Sequence, residues 1–149
     1  MTPLNYNGNT LVVYGQGGVD HLHGGNGADR LYGGIDPDNL SDETSGWGSN
    51  PIYPAVLWGE SGPDRLFGSQ ASGTWMLGGD GDDGLRDRGG SGDVLMGEGG
   101  NECCMFDTNF AVLDCGSGTD RRGILPPGMS CETFDTTCTM NEWDSPDCR

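Results

Sequence analysis

The sequence predicts an all-β chain, a right-handed parallel β-solenoid built from nine-residue units. Three observations carry that prediction. A glycine-rich turn recurs about every nine residues, an acidic residue closes many of the turns, and an apolar residue, usually Leu, follows two positions later. The cleanest copy, Gly24-Gly25-Asn26-Gly27-Ala28-Asp29-Arg30-Leu31-Tyr32, fits G-G-x-G-x-D-x-U-x at every defined position. Nine residues suffice for one tight turn and one short strand, so two units complete a coil. Like turns then stack on like turns, and their carboxylates face each other across one strand spacing.

The units run in order along the chain. Residues 6–14 form a degenerate first unit, followed by 15–23, 24–32 and 33–41. Residues 42–54, rich in Ser, Gly and Pro, read as a loop bulging from the stack. The repeat resumes at Ala55-Val56-Leu57-Trp58 and continues through 59–67, 68–77, 78–86, 87–96 and 97–105. Weaker units at 106–114 and 115–123 end it. Two units hold ten residues, which a bulged turn absorbs. The expected organisation is a capping strand at 1–14, the solenoid at 15–123 with its insert at 42–54, and a disulfide-closed tail at 124–149.

The inward position reads Leu22, Leu31, Leu40, Leu57, Leu66, Met76, Leu85, Leu95, Cys104 and Leu113. It ends at Arg122, which cannot be buried unpaired, so the solenoid stops about there. A column this narrow buries little area per residue and is marginal alone. Bound metal is what would let it fold.

Composition narrows the partners. A net charge of -16, from 23 acidic against 7 basic residues, argues against nucleic acid and anionic membranes. No apolar stretch is long enough to span a bilayer as a helix. The regular Leu positions argue against a disordered acidic chain. Divalent cations are the simpler counter-charge. Six Cys point to an oxidising compartment, and calcium is plentiful outside cells, so a secreted protein is expected. Met1-Thr2-Pro3-Leu4-Asn5 lacks the basic start and apolar core of a secretory signal, which implies a removed leader or another export route.

The repeats resemble the RTX calcium-binding β-roll family over roughly residues 15–120. That resemblance implies calcium shared between the turn carboxylates and early turn carbonyls of adjacent coils, with folding dependent on the ion. Asp114-Cys115-Gly116-Ser117-Gly118-Thr119-Asp120 with Cys131-Glu132 also looks like the disulfide-closed ends of some bacterial β-rolls. The expected pairs are Cys115 with Cys131 and Cys138 with Cys148, other connectivities remaining open. Cys103 and Cys104 are adjacent in a strand: they form a vicinal disulfide, stay as thiols, or Cys103 cross-links two subunits.

Successive turns alternate between two edges of the roll. The closing position on edge one holds Asp20, Asp38, Asp64, Asp83, Glu102 and Asp120, all acidic, whereas edge two holds Asp29, Ala55, Thr74, Asp93 and Ala111. A single ladder of up to about five calcium ions on edge one is therefore expected. Its carbonyl partners come from Gly15, Gly17, Gly33, Gly34, Gly59, Gly78, Gly79, Gly81, Gly97 and Gly99, glycine being attributed to positive φ and close carbonyl approach. Asp36, Asp80 and Asp82 add either ligands or solvated charge. Glu102 has the longer side chain and is the weakest member. The competing explanation is that these acids merely cap their turns on local amides. That does not predict acids on one edge and their loss on the other.

The outward positions differ between faces. After edge-one turns they are mostly polar, including His21 and His23, which at these positions are ordinary surface residues. On the opposite face they are apolar and aromatic: Val12, Tyr14, Tyr32, Val56, Trp58, Trp75, Leu77, Val94 and Met96. Such a face is expected to be covered. The candidates are the 42–54 loop with Trp47, Ile52 and Tyr53, the tail after Gly123, or a second copy in a dimer or fibre.

The only two His offer no plausible base for nucleophilic catalysis, so an enzyme is not expected. The expected role is a secreted, structural, self-assembling calcium-binding protein. The alternatives are an adhesin-type or ice-binding module, and the folding and export appendage of a larger secreted protein. Ice binding favours flat arrays of Thr or Asn, which this bulky face lacks.

Overall fold

The computed structural model describes residues 10–25, 27–42, 53–87, 91–101, 103–105, 112–114, 116–118 and 121–123. Among them every regular element is a strand: β1 (Val12–Gly17), β2 (His21–His23), β3 (Arg30–Ile35), β4 (Asn39–Ser41), β5 (Val56–Ser61), β6 (Arg65–Phe67), β7 (Trp75–Asp80), β8 (Gly84–Arg86), β9 (Val94–Gly99), β10 (Cys103–Met105), β11 (Val112–Asp114) and β12 (Arg121–Gly123). The odd strands form a six-stranded sheet in the order β1-β3-β5-β7-β9-β11, and the even strands a second in the order β12-β10-β8-β6-β4-β2. All pairings are parallel. Consecutive strands thus fall in opposite sheets and each coil adds one strand to both, which is the expected β-solenoid.

Coil length varies in an ordered way. The step from Asp20 to Asp38 is 18 residues, from Asp38 to Asp64 it is 26, and from Asp64 to Asp83 it is 19. Edge one takes no part in this variation, since its turns at 15–20, 33–38, 59–64 and 78–83 are all of one length. The extra residues lie on edge two, between Ser41 and Val56, Phe67 and Trp75, and Arg86 and Val94. Like positions therefore stack at constant turn length all along edge one, whereas on edge two turn length varies from coil to coil.

The core is the predicted column. Leu31, Leu57, Met76 and Leu95 pair in register in the first sheet, and Leu22, Leu40, Leu66 and Leu85 in the second. All eight are buried, with Ala55 among them and Val13 packed alongside. Each fully buried Leu or Met contributes roughly 1.5–3 kcal/mol relative to exposure. Cys104 continues the register from Leu85, and Leu113 from Leu95.

The outer face of the first sheet carries an aromatic ladder. Tyr14 stacks on Tyr32 at 4.6 Å and 11°, and Tyr32 on Trp58 at 4.5 Å and 3°. The rings lie in register because the coils do, and such stacking adds about 0.5–1.5 kcal/mol per pair beyond buried area. Val12, Tyr14 and Trp75 are exposed, while Tyr32, Val56, Trp58, Leu77 and Met96 are half-buried. Val94 departs from the expectation, being buried in its row between the bulky Trp75 and Val112. On the second sheet Ser41 and Gly84 are buried as well. Of the insert's apolar residues Tyr53 is exposed. Trp47 and Ile52 lie outside the described residues, as do Cys115, Cys131, Cys138 and Cys148, so the loop cover and disulfide pairs rest on sequence.

Candidate metal centre

Each edge-one turn has a repeating internal geometry. Positive φ falls at its second position, in Gln16, Gly34, Glu60, Gly79 and Glu98, and at its fourth, in Gly18, Asp36, Gly62, Gly81 and Gly100. The opening glycines Gly15, Gly33, Gly59, Gly78 and Gly97 are not in that region, and neither are Gly17 and Gly99. Of the two reasons expected for glycine, Gly17 and Gly99 meet neither. Gly34, Gly79 and Gly81 serve backbone conformation and also leave room for a carbonyl of the coil before, whereas the opening glycines serve space alone.

What fills that space is oxygen. A methyl group on Gly33 would lie 2.6 Å from Asp38 Oδ2 and 2.7 Å from the Gly59 carbonyl oxygen. On Gly59 it would lie 2.5 Å from Asp64 Oδ2 and collide with the Gly78 carbonyl. On Gly78 it would meet Asp83 Oδ2 and, at 2.8 Å, the Gly97 carbonyl. Gly15 repeats the arrangement with Asp20 Oδ2 at 2.8 Å and the Gly33 carbonyl. Every coil thus brings its own closing carboxylate and the next coil's opening carbonyl to one bare Cα.

The other oxygen of each acid ties the coils together. Asp38 Oδ1 accepts the Asp20 N–H at 2.8 Å, Asp64 Oδ1 accepts the Asp38 N–H at 2.7 Å, and Asp83 Oδ1 accepts the Asp64 N–H at 2.8 Å. The capping explanation therefore accounts for Oδ1, although the amide belongs to the neighbouring coil. It leaves Oδ2. Asp38 Oδ2, Asp64 Oδ2 and Asp83 Oδ2 are buried without a hydrogen-bond partner. Buried polar atoms are normally satisfied, because desolvation without compensation is costly.

Burial drives the protonation of these acids. It raises Asp64 to about 7 and Asp83 to about 6, and it raises Asp38 also. The interstrand N–H bonds act against the rise, and neighbouring carboxylates add to it. Asp36 and Asp82 face solvent instead, where Asp36 Oδ2 accepts the Gly18 N–H at 3.1 Å and Asp82 Oδ1 the Asn101 N–H at 2.9 Å. Glu102 and Asp120 lie outside the described residues.

Among the described residues no three His, Cys, Asp or Glu side chains converge as a metal-holding group. A cation on edge one must take carboxylates from adjacent coils and complete its shell with main-chain oxygen. An all-oxygen, adaptable set of that kind suits calcium, which accepts 6–8 oxygens, better than zinc with its N/S preference. The donor chemistry fits.

Residues 12–40 match the family model for the RTX calcium-binding nonapeptide repeat (4 copies). The matched RTX stretch holds the Asp20 and Asp38 turns of edge one and the Asp29 turn of edge two. No curated protein and no solved structure matches the chain. Beyond the matched stretch, the RTX pattern of closing acid and opening glycine persists in the Asp64 and Asp83 turns.

Sequence reasoning missed one residue. Asp42 was assigned to the bulging loop, yet its N–H donates to the Phe67 carbonyl at 3.0 Å, just as Gly24 N–H donates to Ser41 at 2.9 Å. It is the opening residue of an edge-two turn and the insert follows it. Asp42 is buried, and burial, with Asp29 adding repulsion, raises it to about 7. Counting one position past Ser41 would have found it. Elsewhere on this edge Asp29 Oδ1 accepts the Leu11 N–H and Asp93 Oδ1 the Thr74 N–H, both at 2.8 Å.

The opening glycine is testable. Gly59→Ala introduces no left-handed strain but occupies the space between Asp64 Oδ2 and the Gly78 carbonyl. Overpacking of this kind costs about 1–3 kcal/mol. The expected result is a lower melting midpoint in saturating calcium and weaker calcium binding. Gly17→Ala, which would meet only the Ile35 side chain, is the control. Equal behaviour of the two variants would refute the cradle.

Proposed function

We propose that the chain is a secreted, non-catalytic calcium-binding β-roll that acts as a structural, self-assembling component outside the cell. The observation that carries the calcium part is the row of buried, unpartnered Asp38, Asp64 and Asp83 oxygens, each beside a main-chain carbonyl. Six Cys and the strong acidity support an extracellular setting. In this reading the closing acids hold calcium and the opening carbonyls complete its shell, up to about five ions along edge one. Calcium supplies positive charge between coils that otherwise repel. The chain's own residues orient the site through the amide bonds to Oδ1.

Self-association rests on the first sheet's outer face. Tyr14 is 63% exposed, Trp75 47% and Val12 46%, and these sit in one row system with the stacked Tyr32 and Trp58. A partner copy laid on that face buries the aromatic ladder, giving a dimer or the lateral contact of a fibre. Sedimentation of the full chain in calcium tests it. The wild type is expected to sediment as an oligomer or larger assembly and Trp58→Asp as a monomer. Monomers for both would overturn the assembling role while leaving calcium binding untouched.

A further inference from the structure

We propose that edge two carries a cation site of its own, in which Asp42 at the opening of one turn supplies the carboxylate missing from that turn's closing position. The proposal rests on the calcium reading above and extends it to an edge where the spacing of closing acids predicts none. That closing position is Ala55, fully buried and without an oxygen to offer from its side chain. Asp42 stands where the neighbouring coils have Gly24 and Gly68.

Three features of Asp42 point to a ligand. Its side chain is fully buried, with 0% relative exposure. Neither Oδ1 nor Oδ2 accepts a hydrogen bond of full geometry, and the Ser69 hydroxyl is the one polar side chain near enough to favour its charged form. It is also aimed: a methyl group on Gly24 would lie 2.7 Å from Asp42 Oδ1 and 2.8 Å from Asp29 Oδ2. Carboxylates of adjacent coils therefore converge on one bare Cα, one from a closing and one from an opening position, where edge one brings a single carboxylate and a main-chain carbonyl. Two buried carboxylates at such a spot need a positive partner. A hard divalent cation, calcium in an extracellular setting, meets both.

The next coil marks where the site ends. A methyl group on Gly68 would meet Met76 Cε at 3.1 Å and Sδ at 3.3 Å before Asp87 Oδ1 at 3.4 Å. The thioether occupies the volume that oxygen occupies at Gly24. Among the described residues of edge two, this convergence of carboxylates occurs at Gly24 and not at Gly68.

Calorimetric titration of the full chain with calcium tests the site. Asp42→Gly restores the residue of the neighbouring turns, and Asp42→Asn keeps the size but removes the charge. Both are expected to lose about one equivalent of bound calcium, with the remaining heats unchanged. An unchanged count in both variants overturns the site, whereas Asp64→Asn reports separately on edge one. A wild type that binds no calcium overturns the calcium reading itself and this site with it. Terbium soaked into crystals of the wild-type chain reads the position without any variant. An anomalous peak between Gly24, Asp29 and Asp42 supports the site, and peaks confined to edge one overturn it.

Discussion

Chelation of calcium is expected to abolish most of the strand signal of this chain in far-UV circular dichroism, and added calcium to restore it. The column of Leu and Met is one residue wide, and across it stand buried carboxylates at Asp38, Asp64 and Asp83, each with an unpartnered oxygen. Removing one partner of a buried charge pair costs about 3–5 kcal/mol. Two or three such losses match the whole stability of an ordinary domain, about 5–15 kcal/mol. The net charge of -16 adds repulsion, which salt screens least between the buried carboxylates. A spectrum and melting midpoint indifferent to chelator would show that the coils stand without the ion, and the calcium reading would fail.

The second large effect is a reversal of pH dependence on removing calcium. Asp64 and Asp42 are raised to about 7 and Asp83 to about 6, from 3.8, chiefly by burial. In chelator the folded chain therefore holds protons that the unfolded chain releases. Their stabilising contribution is complete below the unfolded value of 3.8 and is lost as pH rises through 6 to 7. Acidifying the calcium-free chain from pH 8 towards 5 should raise its melting midpoint and recover strand signal. With calcium present the sign inverts, because protons then compete with the ion for the same oxygens. Melting curves across that range, with and without chelator, check both arms. A calcium-free chain that gains stability as pH rises through this window would contradict the burial of these acids.

The parts of this molecule legible in the sequence are those set by period. Leu22 to Leu95 recur two positions after each turn closes, and Asp20, Asp38, Asp64 and Asp83 each close a turn of one length, although the coil steps are 18, 26 and 19 residues. Stacked coils turn a position repeated within each turn into contact, so the core and the edge-one row could be read off directly. What resisted reading depends on individual neighbours. Glycine at position 33 and glycine at position 34 look alike in sequence, yet the first makes room for a carboxylate and the second adopts φ +121° against a main-chain carbonyl. Gln16, Glu60 and Glu98 show that the second position tolerates a side chain despite positive φ, which no glycine count reveals. Val94 is hidden beside the larger Trp75 in its row, a matter of size and not of alternation. Asp42 was lost because an insert begins immediately after it, and composition blurred the boundary.

The confinement of all length variation to edge two has a practical side. Between Ser41 and Val56 the solenoid already accommodates eight residues more than its shortest coil step, 26 against 18, while β4 and β5 keep their register with the strands beside them. Foreign peptides spliced into that margin should be displayed there without disturbing the opposite one. The same splice between Tyr32 and Asn39 should break every stacked repeat above it. The molecule thus has one side built for constancy and one open to variation, and an engineer would graft only onto the latter.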